Sequence, residues 1–451
     1  MRVIIFGFIV NSFIILRRCI LLKKVRLVVF LLVLISLISI AATSTGFGAD
    51  KVTLTIGSWR VDDVESIGKV LAAFTQKYPN IQIKFNPTNP PDYNAVLRTQ
   101  LTGGSGPDLM YLRSFKISAD LFKDGFIAPL TDMTALKQNY TEGNLSPWTN
   151  DKGVIYGLPF MAVSHGIYYN SNLFKKYKIN VPTTWQQLII AAKKLKAAGI
   201  IPFANGSKEQ WDMNEIVFMN LLPDFIGGRS SRLEYETGKV PFNDAKMVAA
   251  FQAIKDIAPY LPAGQEGVSY YDAQQLFLLG KAAMFFGGSW DVAIFEKAAP
   301  DFEWGVFATP ASVGRKTVVC FHPDCGIGIN KTSKFQKEAR LFLEWLTTKQ
   351  AAQILADEIP GFYPLSKTGA ALKIKSAHAS QFLAISNGKE TDLRFDWPVL
   401  MDAPQGKTDG YNLTQNAALA VAKGAMTPKQ AADFVQDGLE QWYAPTQHFK
   451  K

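Results

Sequence analysis

Short runs of alternating β-branched and polar residues, each giving way within a few positions to an apolar stretch at helical spacing, constrain this chain more than any other feature. Positions 52–56 alternate and end at Gly57-Ser58-Trp59-Arg60. Val64, Ile67, Leu71 and Phe74 then fall on one helical face until Pro79-Asn80 stops it, and Ile81, Ile83 and Phe85 alternate again. The pattern predicts a helix over 93–101, closed by Gly103-Gly104, and a strand over 108–112. Such alternation with short connections predicts an α/β fold with a largely parallel sheet covered by helices.

A second set of elements follows. Strands are expected at 167–169, 201–203 and 282–286, and helices at 185–198, 213–222, 245–257 and 273–279. Positions 302–307 and 320–329 are strand-like, and 336–347 form a strongly amphipathic helix. The chain from 368 onward is mostly helical, with a helix start at Thr427-Pro428-Lys429-Gln430. Two α/β cores are implied, and 451 residues are enough to fill both.

Residues 1–49 stand apart. Lys23-Lys24-Val25-Arg26 precedes the apolar run 27–42 and the small, polar stretch 43–49, in the order of a secretory signal peptide. The mature chain is expected to begin near Asp50, with the cut between 44 and 49. An earlier apolar run, 3–16, precedes Arg17-Arg18, so an upstream start, a two-part leader and a retained anchor are all open. Each run is shorter than the roughly 20 residues a membrane span needs. The leader also carries much of the formal charge of +10: it holds Arg2, Arg17, Arg18, Lys23, Lys24 and Arg26 and no acid. The remaining 42 Lys and Arg against 38 Asp and Glu are too evenly matched to argue for phosphate binding, so no nucleic-acid partner is expected.

Cys19 lies in the leader, which leaves Cys320 and Cys325 for an exported chain. Five residues apart, they read either as a local disulfide or as two buried thiols. His322 lies between them, but four histidines in all and no CxxC or HExxH spacing argue against zinc, and no cofactor is expected. Beyond residue 49 there is no Walker A sequence, GxGxxG after a strand or GxSxG elbow, and the clusters Gly103-Gly104-Ser105-Gly106 and Gly287-Gly288-Ser289 read as tight turns.

What the sequence does offer is tryptophan in polar, turn-rich surroundings. Trp59 precedes Arg60, Trp211 ends Asn205-Gly206-Ser207-Lys208-Glu209-Gln210, Trp290 lies between Ser289 and Asp291, and Trp397 lies between Asp396 and Pro398. Sugars present C–H faces that pack on aromatic rings and hydroxyl edges that need carboxylate, amide or guanidinium partners, so this pairing suits a carbohydrate.

An ordered set of motifs runs through the chain: Leu101-Thr102-Gly103-Gly104-Ser105-Gly106-Pro107-Asp108-Leu109-Met110-Tyr111, Ile155-Tyr156-Gly157-Leu158-Pro159 and Gly166-Ile167-Tyr168-Tyr169-Asn170 leading to Leu173-Phe174. Pro182-Thr183-Thr184-Trp185, Leu195-Lys196-Ala197-Ala198-Gly199-Ile200-Ile201-Pro202, Gly280-Lys281-Ala282-Ala283-Met284, Gly287-Gly288-Ser289-Trp290 and Gly361-Phe362-Tyr363-Pro364 continue it. With these, residues 50–445 resemble the extracellular solute-binding proteins (family 1) of bacterial ABC importers, which include maltose- and oligosaccharide-binding proteins. The resemblance implies a type II periplasmic-binding-protein-like fold: two discontinuous α/β lobes, a hinge and a central ligand cleft. Lobe one would comprise 50–161 plus 310–364 and lobe two 162–309 plus 365–451, with crossings at 158–163, 306–310 and 362–365.

It also implies cleft residues: Trp59, Arg60, Asp108 and Arg113 from lobe one, His165 from the crossing, and Trp211, Asn214 and Trp290 from lobe two. Asp324, Tyr363 and Tyr411 complete the set. The function implied is capture of a sugar, of oligosaccharide size, outside the cytoplasmic membrane by an exported, monomeric, non-catalytic protein that delivers it to membrane permease subunits. The competing readings are a same-fold binder of a polyamine or metal, and a secreted glycoside hydrolase, for which a pair such as Asp62-Asp63 would have to flank the scissile bond.

Overall fold

Strands β1 (Val52–Ser58), β2 (Ile81–Pro87) and β3 (Leu109–Arg113) alternate with helices Val64–Lys77 and Tyr93–Thr102, as the sequence predicts. The first helix buries Ile67, Val70, Leu71 and Phe74, and Phe74 meets Phe342 and Trp345 of helix Gln336–Leu346 edge-on at 5.0 and 5.5 Å. In this computed structural model residues 51–450 are described, except 313, 368, 370, 371, 395 and 396, so the expected leader lies outside the described residues.

The remaining strands are β4 (Leu158–Asn170), β5 (Ile201–Phe203), β6 (Ala282–Gly288), β7 (Trp304–Phe307), β8 (Val318–Ile329), β9 (Tyr363–Pro364) and β10 (Glu390–Asp392). The sheet runs β2-β1-β3-β8-β4-β6-β5, with β7 and β9 paired to β4 and β10 to β8. Pairs β1–β3, β5–β6 and β8–β10 are parallel, whereas β3–β8, β8–β4, β4–β6, β4–β7 and β4–β9 are antiparallel. The expectation of a largely parallel sheet therefore holds in the outer pairs and fails in the middle. The cause is the pair of long strands, 13 residues in β4 and 12 in β8, which run against each other and serve both ends of the sheet.

The sequence divides β4 into a crossing at 158–163 and a separate strand at 167–169. It is one strand because Leu158 to Tyr168 are all buried, so neither face supplies the polar alternation that would mark its path. Around β4, β6 and β7 lies the larger core, which includes Phe203, Phe218, Phe251, Phe277, Phe285 and Phe295. Residues 53–451 form one compact unit. Helix Pro428–Glu440 begins with Thr427 and Gln430 capping one another's backbone N–H, as its sequence start suggests.

Two further differences bear on function. The helix expected over 213–222 is a π-helix over Asp212–Phe218 that continues as an α-helix over Met219–Ile226. Cys320 and Cys325 are both buried in β8 and carry no disulfide, which corrects the first of the two cysteine readings. Five residues of extended strand, at about 3.3 Å each, set the two Cα atoms roughly 16 Å apart, well beyond the reach of about 7 Å that a disulfide allows.

Candidate functional site

Strand β1 runs out at Ser58 and delivers Trp59 and Arg60 to the end of the sheet where β3 delivers Arg113. Trp59 is wedged edge-on between Tyr93 and Tyr111, 5.6 Å from each ring, and the Arg113 guanidinium lies 4.1 Å from its ring centroid. That stacking holds Arg113, which has no carboxylate partner among the described residues. Arg60 differs. Its Nε and Nη2 donate to Asp63 at 2.7 and 2.9 Å, and its guanidinium lies 4.9 Å from the Phe362 ring. Burial disfavours its charge, but Asp63 outweighs burial and raises its pKa, so Arg60 is a fixed cation rather than a free donor.

The opposite wall grows from β6. Gly288 at its end lets Trp290 fold back, since a Cβ there would stand 2.0 Å from the indole. The half-buried Trp290 donates from Nε1 to the Tyr270 hydroxyl at 2.7 Å, Tyr270 donates to Asp291 Oδ2 at 2.6 Å, and Gln274 donates to Asp291 Oδ1 at 2.7 Å. Burial pushes the Asp291 carboxyl up to about 7 against the pull of those hydrogen bonds. The Trp211 ring lies 4.9 Å from the Tyr270 ring, so Trp211, Tyr270 and Trp290 make one aromatic surface.

Below them the π-helix presents Asn214 and Glu215. Tyr411, at the start of helix Gly410–Ala422, donates its hydroxyl to Glu215 Oε1 at 2.5 Å, and Arg394 Nη1 donates to Glu215 Oε2 at 3.0 Å. Asn214 donates to the Tyr411 carbonyl at 3.3 Å, while its buried Oδ1 has no partner among the described residues. π-Turns of this kind are frequent at functional sites. The two walls are close enough to interact electrostatically: the Arg113 charge acts on the Tyr411 hydroxyl, and the Arg60 charge on Asp291 and Tyr271.

The structure thus brings together Trp59, Arg60, Arg113, Trp211, Asn214, Trp290 and Tyr411. Asp324 is 9% exposed, in the stretch where the β4–β8 register shifts, and has no hydrogen-bond or ion-pair partner among the described residues. Three expectations are corrected. Asp108 precedes β3 at the end remote from Arg113, and its carboxylate is occupied by the Thr55 N–H and hydroxyl, both at 2.9 Å, and the Ser333 hydroxyl at 2.6 Å. It ties β1 to the segment after β8. His165 is 1% exposed and hydrogen-bonds His322, Nε2 to Nε2 at 3.0 Å. Tyr363 is a buried packing residue whose hydroxyl donates to the Ala379 carbonyl at 2.7 Å.

Trp397, despite its polar neighbours, is also core, between Tyr235 and Phe242. Sequence reasoning missed Tyr270, Gln274, Glu215 and Arg394. Glu215 follows Asn214 and lies one helical turn from Trp211, a signal that was available. Gln274 matters through Asp291 and Tyr270 through Asp291, Trp290 and Trp211, partners that folding alone brings to them.

The family model for bacterial extracellular solute-binding proteins matches residues 60–353. The multiple sugar-binding protein of Streptococcus mutans is 26% identical over 311 residues, covering 67% of this chain and 73% of that protein. The sn-glycerol-3-phosphate-binding periplasmic protein of Rhizobium meliloti is 24% identical over 343 residues, 74% of this chain and 75% of its own. Among solved structures, a chitin oligosaccharide binding protein superposes with a TM-score of 0.72 at 22% identity, covering 88% of this chain and all of that one. The solute-binding protein RafE in complex with raffinose gives 0.70 at 21%, covering 86% and 99%. These likenesses establish a two-lobed type II binding-protein fold, and with the match over 60–353 the chain belongs to the bacterial extracellular solute-binding proteins.

Proposed function

We propose that this protein is the extracytoplasmic receptor of a carbohydrate ABC importer, that it captures a sugar of oligosaccharide size, and that it passes the closed, loaded form to membrane permease subunits without altering the ligand. The observation that carries this reading is the pair of partly exposed indoles Trp211 and Trp290, joined through the buried Tyr270, on the wall opposite Arg113, which is stacked on the buried Trp59. Ring faces suit the apolar faces of pyranoses, and Arg113, the Asn214 oxygen and Asp324 are polar groups lacking partners that sugar hydroxyls would supply. The names of relatives that bind multiple sugars, chitin oligosaccharide and raffinose support the same ligand class.

The lobes in this reading comprise 50–161 with 310–364, and 162–309 with 365–451. A ligand that touches both walls only when they are closed shifts the population toward closure. Moving a closed fraction from about 1% to 99% takes roughly 5.5 kcal/mol of differential binding. The protein acts exported and as a monomer. Calorimetry with mono- to hexasaccharides is expected to find at least one binder released unhydrolysed, and Trp290→Ala to weaken it about 10- to 100-fold. Absence of any binder across the panel, turnover of the bound sugar, or an unaffected Trp290→Ala would refute the reading.

A further inference from the structure

Strands β4 and β8 place three metal-ligating side chains on one face of the sheet. Their register pairs Val163 with His322 and Ser164 with Phe321, so the next step sets His165 opposite Cys320. Cys320 and His322 are two apart on β8 and point the same way. One ring nitrogen from each histidine and the Cys320 sulfur all lie within 4.8 Å of one another, and each residue is 1% exposed. A tetrahedral zinc ion, with bonds of about 2.0–2.1 Å to nitrogen and about 2.3 Å to sulfur, holds such atoms about 3.3–3.6 Å apart. The facing imidazole nitrogens, at 3.0 Å, need to part by a few tenths of an ångström and the sulfur to move in by about one.

The surroundings favour the same chemistry. His322 Nδ1 is 3.2 Å from the Pro323 carbonyl, and since a carbonyl oxygen only accepts, that nitrogen carries the proton. Nε2 is then left with its lone pair facing His165, the orientation that metal-bound histidines adopt when a backbone carbonyl fixes their tautomer. His165 Nε2 donates to that lone pair, and on metal binding its proton moves to Nδ1, which is buried with no partner among the described residues. Trp290 meets the His165 ring edge-on at 5.0 Å. Arg394 brings a positive charge near, but it is paired with Glu215.

We infer that His165, His322 and Cys320 form a buried site for one thiophilic transition-metal ion, of the class of Zn(II), on the two strands that span the molecule. Binding turns the Cys320 thiol into a thiolate, and one proton leaves to solvent for each ion taken up.

The site is independent of the sugar reading and is tested separately. Chelator-treated, purified full-length protein is titrated with Zn(II), following Tm, and with Co(II), following the thiolate-to-cobalt charge-transfer band. Wild type and Cys325→Ser are expected to bind one equivalent, gain Tm and show the band. Cys320→Ser should lose the band, and both it and His322→Gln should bind Zn(II) at least tenfold more weakly. Metal-free circular dichroism and Tm identify any variant that fails to fold. In that case the wild-type cobalt spectrum decides alone, because a complex without a thiolate band overturns the site. No Tm gain in wild type, or a gain that persists in folded Cys320→Ser, also overturns it. Sugar calorimetry on the same preparations keeps a failure here distinct from a failure of the cleft.

Discussion

Asp212 sits at the first position of the π-helix, fully buried, where Asn205 and the Gly206 N–H reach its carboxylate only at 3.4 Å. Burial outweighs those weak hydrogen bonds and pushes its pKa up to about 8. In the unfolded chain the group ionises near 4, so between about pH 4 and 8 the folded state holds the extra proton. Stability is then full below the unfolded pKa and falls as pH rises, by up to about 1.4 kcal/mol per unit, until the folded group also ionises. Asp291 acts in the same direction up to about pH 7. Asp212→Asn is expected to flatten the fall in Tm between pH 5 and 8, and an unchanged slope would count against a protonated Asp212. At this scale the sequence was legible wherever a residue's neighbours reflect its surroundings. Trp290 and Trp211 stand among polar residues because they end or precede elements at the cleft. Asp108 and His165 misled because the sequence shows a strand but not which end faces the cleft, nor what lies across from it.

Gly361 illustrates how elements are fixed to each other. It precedes β9 with φ of +95°, and a Cβ would lie 1.8 Å from the Ser289 carbonyl, next to Trp290. Gly361→Ala meets both backbone strain and a clash that no rotamer relieves, and should lose about 3 kcal/mol or more in urea unfolding. A loss under about 0.5 kcal/mol would mean that this turn does not pack as described. The same carbonyl contact links the β9 turn to the Trp290 loop, so sugar affinity should fall with stability. Elements with clear punctuation were read closely. Helix Val64–Lys77 ends one residue before Tyr78, as Pro79 requires, and β6 begins at Ala282, right after the Gly280-Lys281 turn. The unbroken course of β4 was not legible, because a strand buried on both faces has the same composition as two shorter ones.

Across the whole molecule two ion pairs join the two lobes proposed above. Lys297 of helix Val292–Ala298 meets Glu65 of helix Val64–Lys77 at 3.0 Å, and Lys116 meets Asp402 at 3.2 Å. Both are solvent-accessible pairs, worth about 0–1 kcal/mol each, so in the proposed two-lobed reading they bias closure without fixing it. Lys297→Glu should lower the ligand-free closed fraction by no more than about fivefold, seen as a larger radius of gyration in small-angle scattering that added sugar reverses. A radius insensitive to both the variant and salt would show that the rims do not control opening.

The strand order has a consequence for how the protein is made. Among the described residues β8 alone joins β1–β3 to β4, yet it is translated long after all of them. At ~5–20 residues per second a ribosome takes on the order of ten seconds to go from β4 to β8, and until then β3 and β4 each lack their shared neighbour. The nascent N-terminal third therefore cannot complete its sheet ahead of schedule, and the central pairing waits until nearly three quarters of the polypeptide has been synthesised.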